Sequence, residues 1–201
     1  MIGDFVIDTH MSALTLRIAS QRVSIRPARL SDAARIARVH VESWRATYAT
    51  ILPAGFLRRL SVERDAARWM RLLSKRNSDP FVLVAEDRLW HRVVGFAQGG
   101  RERTNDRIYR GELHAIYLLP DYQRRGIGAT LTSAVADRLL AAGIPSMLVW
   151  VLAHNSSRRF YETLGGRLIK VKKILLAGKT LPAVAYGWKD LRALLGLEAR
   201  G

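Results

Sequence analysis

Residues 111–143 read GELHAIYLLPDYQRRGIGATLTSAVADRLLAAG, and this run narrows the choice of fold more than any other part of the chain. A strand-like stretch passes through a turn holding Arg124, Arg125, Gly126 and Gly128, then enters a well-formed amphipathic helix. Backbone N–H groups at a helix N-terminus point outward and favour an anion, and flanking arginines add bidentate donors for a phosphate. Two other phosphate-binding patterns fit less well. A Walker A loop needs G-x-x-x-x-G-K-[ST]; the one candidate, Gly178-Lys179-Thr180, has Lys173 where the first glycine belongs. A dinucleotide fingerprint needs G-x-G-x-x-G/A and a later acid; here Leu131 takes the third glycine's place, and the next strand-like run, SMLVWVLAHN, contains no acid.

The remaining segments build around that unit. RVSIRPAR alternates Val23 and Ile25 with polar residues and stops at Pro27, which is strand period. LSDAARIARVHVESW is a helix pattern with Ser31 as N-cap and Ile36, Val39, His40 and Ser43 at helical spacing. Past Pro53 a second helical region carries Phe56, Leu57 and Leu60, then an apolar stripe of Ala67, Met70 and Leu73. PFVLVAED, HRVVGFAQGGR and GELHAIYLLP form a three-strand meander; SMLVWVLAHN is a buried strand, SSRRFYETLGG a short helix and LIKVKKILLAGKTLPAVAYGWKDL a closing hairpin. The resulting order, β-α-α-β-β-β-α-β-α-β-β, predicts an α/β chain of the α+β type with a mixed, mostly antiparallel twisted sheet flanked by helices. No linker divides it, so a single domain is expected over 21–190. Residues 1–20 are expected to be a disordered extension, with Met11 an alternative start, and 191–201 a tail.

Composition limits the chemistry. The chain has 201 residues and no cysteine, which excludes disulfides, thiolate metal sites and a cysteinyl acyl-enzyme, and favours a cytoplasmic location. The first residues lack the basic head and apolar stretch of a signal peptide, and no segment approaches the roughly 20 apolar residues of a membrane helix. A net charge of +16 suits an anionic ligand but also a merely basic surface. His40, His91 and His154 show no metal-ligand spacing, so no metal is expected.

LHAIYLLPDYQRRGIGATLTSAV resembles the acetyl-CoA-binding signature of the GNAT superfamily of N-acetyltransferases. The resemblance implies a GNAT-like fold and acetyl-CoA as co-substrate. It assigns Gln123, Arg124, Arg125, Gly126, Ile127, Gly128 and Ala129 to the pyrophosphate turn, the glycines leaving backbone amides open to the phosphates. Ile116, Tyr117 and Leu118 fall where the family's strand backbone holds the pantetheine and the acetyl carbonyl. AHNSSRRFYETLGG is similar to a second family signature. By it, Asn155 would bond the pantetheine arm and Tyr161 would protonate the departing thiolate; Asn155 equally suits a helix N-cap, and Tyr161 a core position. Gly166 departs from the pattern, which usually has an aromatic there, and implies looser packing near the cofactor.

Acetyl transfer to an amine needs a base, an oxyanion donor and a proton for the leaving thiolate. Without cysteine, direct attack in a ternary complex is the simplest route. Glu112, at the start of the strand that resembles the family's cofactor strand, is the candidate general base, and His114, two residues on and so on the same face, is the runner-up. HVESWRATYATILP resembles a stretch found in a broad subgroup of the family; by analogy Trp44 and Tyr48, four apart on one helix face, would line the acceptor pocket. The expected partners are acetyl-CoA and a primary amine, of a small molecule or of a protein, with a homodimer left open. A basic nucleic-acid-binding domain is the alternative, but no base-reading motif accompanies RERTNDRIYR, so no specific nucleic acid is expected. An acyl-CoA-binding module without turnover is the third reading.

Overall fold

The computed structural model describes residues 22–75 and 79–197; the expected extension over 1–20 lies outside them. Its strands and α-helices run in the order β1 (Val23–Pro27), α1 (Ala33–Thr47), α2 (Ala54–Arg58), α3 (Val62–Leu73), β2 (Phe81–Asp87), β3 (Arg92–Arg101), β4 (Gly111–Leu118), α4 (Ile127–Ala141), β5 (Met147–Leu152), α5 (Arg158–Thr163), β6 (Arg167–Leu176), β7 (Lys179–Trp188) and α6 (Leu191–Leu194). The strand order of the sequence reading is found, but its second helical region is two helices, α2 and α3, and α6 follows the last strand. The strands form one sheet in the order β1-β2-β3-β4-β5-β7-β6. Every neighbouring pair is antiparallel except β4 and β5, which the α4 crossover makes parallel.

Helices cover both faces. On one, α1 packs across β3 and β4 and against α3; on the other, α4 packs on β2, β3 and β4. The core between sheet and helices includes Ile36, Val39, Phe96, Leu113, Leu131, Val135 and Met147, all nearly inaccessible. Fully burying an aliphatic or aromatic side chain of this size contributes about 1.5–3 kcal/mol relative to exposure.

Local details depart from the sequence reading in three places. Ser31 does not cap α1. Leu30–Asp32 form a 3-10 turn instead, and buried Asp32 accepts from the Arg29 amide at 2.8 Å and pairs with Arg26 at 2.7 Å. In α3, Ala67 and Met70 face solvent. The buried face belongs to Trp69, whose indole N–H donates to Asp65 one turn earlier at 3.0 Å, so the polar residue travels inward with the aromatic. Residues 191–194, assigned to a tail, form α6, where Leu191 is fully buried and its amide donates to the Pro145 carbonyl at 2.8 Å.

Candidate active site

The parallel ladder between β4 and β5 is only two residues long, Gly111 with Met147 and Glu112 with Leu148. Beyond it the strands separate, while β4 stays paired with β3 to Leu118 and β5 with β7 to Leu152. Residues 113–118 thus turn a backbone edge toward a cleft in the middle of the sheet, with no strand partner among the described residues. The sequence showed two apolar strands here, and nothing in their composition signalled that they part.

A β-bulge shapes β4. Gln98 pairs with Ala115 but Gly99 with Leu113, leaving His114 as the extra residue. The bulge reverses the alternation beyond it. Leu113 faces α4 together with Gly99, whose pro-Cβ position is 2.6 Å from Val135. Glu112 and His114 face the α1 side, and so do Ala115 and Tyr117 after the slip. Simple alternation would have put Tyr117 on the opposite face from His114.

At the open end of the cleft lies the glycine turn. Gly126 has φ of 77°, a left-handed conformation that favours glycine, and caps α4 with no side-chain acceptor. Thr130 is the first helical amide to find a carbonyl, that of Gly126, so the amides of Ile127, Gly128 and Ala129 form a bare N-terminus. Arg124 and Arg125 are exposed beside it, and the Gln123 side-chain Nε2 donates to the Leu118 carbonyl at 3.1 Å. At Gly128 packing adds a reason for glycine beside the expected clearance for phosphates. A Cβ there would come to 3.3 Å from the Phe160 ring, so Gly128 lets α5 close on α4.

On the α1 side of the cleft is a cavity of about 700 Å³. Its apolar wall includes Trp44, Phe56, Trp69 and Tyr117, and Arg68, Arg101 and Arg103 carry guanidinium groups to its rim. The Trp44 indole N–H is buried there with no hydrogen-bond partner among the described residues.

A family model described as FR47-like protein matches residues 93–175, from β3 through the turn and cleft into β6. The uncharacterised N-acetyltransferase YuaI of Bacillus subtilis is 40% identical over 178 residues, covering 89% of this chain and 99% of that protein. The chain belongs to the GNAT superfamily of N-acetyltransferases. The L-amino acid N-acyltransferase MnaT of Escherichia coli is 28% identical, covering 71% of this chain and 78% of its own. Among solved structures, an acetyltransferase of Salmonella typhimurium, yncA, determined with its cofactor acetyl-CoA, superposes with a TM-score of 0.60 at 23% identity, covering 84% of this chain and 94% of that one.

The remaining expected residues are placed as follows. Tyr161, on α5, is buried, stacked on Tyr186 with ring centroids 6.0 Å apart, and its hydroxyl makes no hydrogen bond to the described residues. Burial, with Tyr48 adding to it, raises its pKa well above the ordinary phenol value, so it stays protonated at neutral pH. Asn155 is buried too; its side-chain oxygen accepts from the Ser157 amide at 2.9 Å, a cap-like contact just ahead of α5. The packing around Gly166 is closed, not loosened. A Cβ there would lie 2.7 Å from the Trp188 ring and 2.8 Å from the Tyr161 carbonyl, so Trp188 fills the space from β7.

Trp44 lines the cavity as expected, but Tyr48 does not. It packs with Leu52, Leu57 and Leu152 and turns its hydroxyl toward Tyr117 and the Asn155 amide, on the cleft side. It sits at the end of α1, its amide donates to the Trp44 carbonyl at 3.0 Å and its ring stays edge-on to that of Trp44 at 4.9 Å, so the two share a face but Tyr48 lies one turn beyond the cavity wall.

The base candidates fare unequally. Glu112 is 2% exposed, and both its oxygens are held by Arg103: the Nε donates at 3.0 Å, a terminal nitrogen bonds the other oxygen, and the Arg103 amide adds a contact at 3.3 Å. Such a carboxylate must break an ion pair before it can take a proton. His114 lines the cavity, with Nε2 3.1 Å from the Arg101 carbonyl and 3.8 Å from Glu112. Burial lowers its pKa against the opposing pull of Glu112, which favours the neutral ring. That ring donates from Nε2 to the carbonyl, because a carbonyl can only accept.

One pair escaped the sequence reading. His40 Nδ1 and Asp65 Oδ2 are 2.7 Å apart on the cavity wall, joining α1 to α3. Asp65 also receives the Trp69 N–H and lies 3.3 Å from Arg68. Burial tends to raise its pKa, but His40 chiefly, with Arg68 and Trp69, outweighs this and holds it below the ordinary carboxylate value. The two residues are 25 apart in sequence, and His40 read only as one member of an apolar helix stripe.

Proposed function

We propose that the protein transfers an acetyl group from acetyl-CoA directly to the primary amine of a small acceptor bound in the cavity between α1, α3 and β4. The observation that carries this reading is the early parting of β4 and β5, which opens a slot between the bare N-terminus of α4 and the acceptor-sized cavity. Acetyl-CoA supplies the activated acetyl group. The amides of residues 127–129, with Arg124 and Arg125, suit its pyrophosphate; the free edge of β4 at Ile116–Leu118 and the Asn155 side chain suit its amide-bearing arm. A backbone N–H on that edge suits the role of oxyanion donor. Tyr161, kept protonated by burial, donates a hydrogen bond to the departing sulfur. Glu112 anchors Arg103 in the cavity rim.

The lining also speaks to the acceptor. Aromatic rings fit an apolar body, and Arg68, Arg101 and Arg103, which stand beside Asp65, Asp79 and Glu112, would have to share their guanidinium donors with an anionic group on the acceptor, as in an α-amino acid with an apolar side chain. The name of MnaT, an L-amino acid N-acyltransferase, supports that class. The test is thiol release from acetyl-CoA with L-methionine, L-leucine and L-phenylalanine, their decarboxylated analogues, aminoglycosides and N-terminal peptides. Preference for the amino acids over the decarboxylated amines is expected. No release with any amine and no thermal shift with acetyl-CoA would refute the reading; a shift without release would leave an acyl-CoA-binding module.

A further inference from the structure

We propose that His40 is the general base of the transfer and that Asp65 is its positioning residue; this rests on the acetyl-transfer reading above. The geometry has four parts. The Nδ1 of His40 faces the Asp65 carboxylate at 2.7 Å, and an ionised carboxylate can only accept, so Nδ1 carries a proton and, in the neutral ring, Nε2 holds the lone pair. No hydrogen bond from the described residues occupies Nε2, and the His40 side chain lines the cavity at 15% exposure, open enough to meet an acceptor. Its ring centroid is 5.2 Å from that of Tyr117, on the stretch of β4 that borders the cleft, and 5.4 Å from that of Trp44. Trp69 and Phe96 stand edge-on to it at 6.3 and 6.2 Å, fixing the imidazole plane from two further elements.

The competing groups in the cavity are less free. Glu112 has both oxygens on Arg103, and His114 commits Nε2 to the Arg101 carbonyl. Among the described residues of the cavity wall, His40 alone holds a carboxylate on one ring nitrogen and leaves the other without a hydrogen bond.

The step balances as follows. The incoming ammonium gives one proton to Nε2 of His40 and becomes a neutral amine. Its nitrogen attacks the thioester carbonyl; the N–C bond forms and the C–S bond breaks. The second proton leaves the nitrogen for the thiolate, whose sulfur Tyr161 hydrogen-bonds. Asp65 stabilises the imidazolium until it returns its proton to water. The products are the amide, free thiol and one released proton.

The test joins a structural readout to a kinetic one. Nitrogen-15 NMR of the histidine rings, with acetyl-CoA bound, is expected to show His40 protonated on Nδ1 and bare on Nε2 at neutral pH. His40→Ala is expected to lose about 10²–10⁴ in kcat with the L-amino acids above. It should keep the wild-type thermal shift with acetyl-CoA, and added imidazole should restore part of the rate. His40→Gln, close in size, should keep the fold and stay slow. A proton on Nε2, a His40→Ala rate equal to wild type, or a slow His40→Ala that imidazole does not rescue would each overturn the proposal while leaving the acetyltransferase reading intact. Wild-type protein with neither thermal shift nor thiol release would instead overturn that reading, and this proposal with it.

Discussion

The Arg103–Glu112 pair makes an asymmetric prediction. Glu112 is 2% exposed and Arg103 63% exposed, so the two partners have different alternatives once the pair is broken. In Glu112→Gln the guanidinium swings out to water and recovers most of its solvation. The cost is then the residue of two charge-assisted bonds, about 1–2 kcal/mol after discounting for an exposed partner. In Arg103→Met the carboxylate stays inside, supported by the residue-103 amide at 3.3 Å and by His114 at 3.8 Å. Stranding a buried charge costs about 3–5 kcal/mol in fully buried pairs, and half-exposure of this one reduces that to about 2–4 kcal/mol. The exposed residue is therefore the more damaging one to remove, by about 1–2 kcal/mol. Urea unfolding with unchanged m-values measures both variants, and a double mutant gives the coupling energy. Equal losses, or a larger loss for Glu112→Gln, would show that Glu112 is solvated in the folded protein and would return it to the list of candidate bases.

Tyr161→Phe is expected to lower kcat about tenfold, or about 1.4 kcal/mol of transition-state stabilisation, with acetyl-CoA binding retained; a normal rate with a lower melting temperature would make the tyrosine purely a packing residue. Acetyl-CoA at 100 times its Kd should stabilise the fold by about 2.7 kcal/mol in thermal melts. Gly128→Val should lower the melting temperature even without ligand, because its first collision is with Phe160, and an unchanged apo melt would contradict this. Asp106 has its pKa lowered to about 2, chiefly by the Lys170 ammonium and then by the Tyr109 and Ile108 amides. Its stabilising effect should be complete above the ordinary carboxylate range and fade as pH falls from about 4 toward 2. Acid titrations of wild type and Asp106→Asn should converge in that window.

The glycine turn, the three-strand meander and the closing hairpin were legible because each rests on short-range chemistry: φ at Gly126, period-two alternation, and turn residues. Asn155, Tyr161 and Trp44 came from the resemblance to family signatures, not from such local rules. Those rules failed where tertiary partners decide. Trp69 rather than Met70 faces inward because Asp65 satisfies its indole N–H. Glu112 reads as a base until Arg103, nine residues away across a loop, is seen to hold it. The His114 bulge and the parting of β4 from β5 are properties of strand pairing, which composition does not encode, and the His40–Asp65 pair exists only once α1 and α3 cross.

That short parallel ladder also has a mechanical consequence. Four strands lie on one side of it and three on the other, and two residue pairs of backbone bonding join them. The sheet behaves as two panels on a seam, kept together by side-chain packing more than by their own hydrogen bonds. A bound chain of amides lying along the seam would act as a missing strand and lock the panels. Substrate capture and sheet rigidity are then one event, and hydrogen exchange at the outward amides of residues 113–118 would report both.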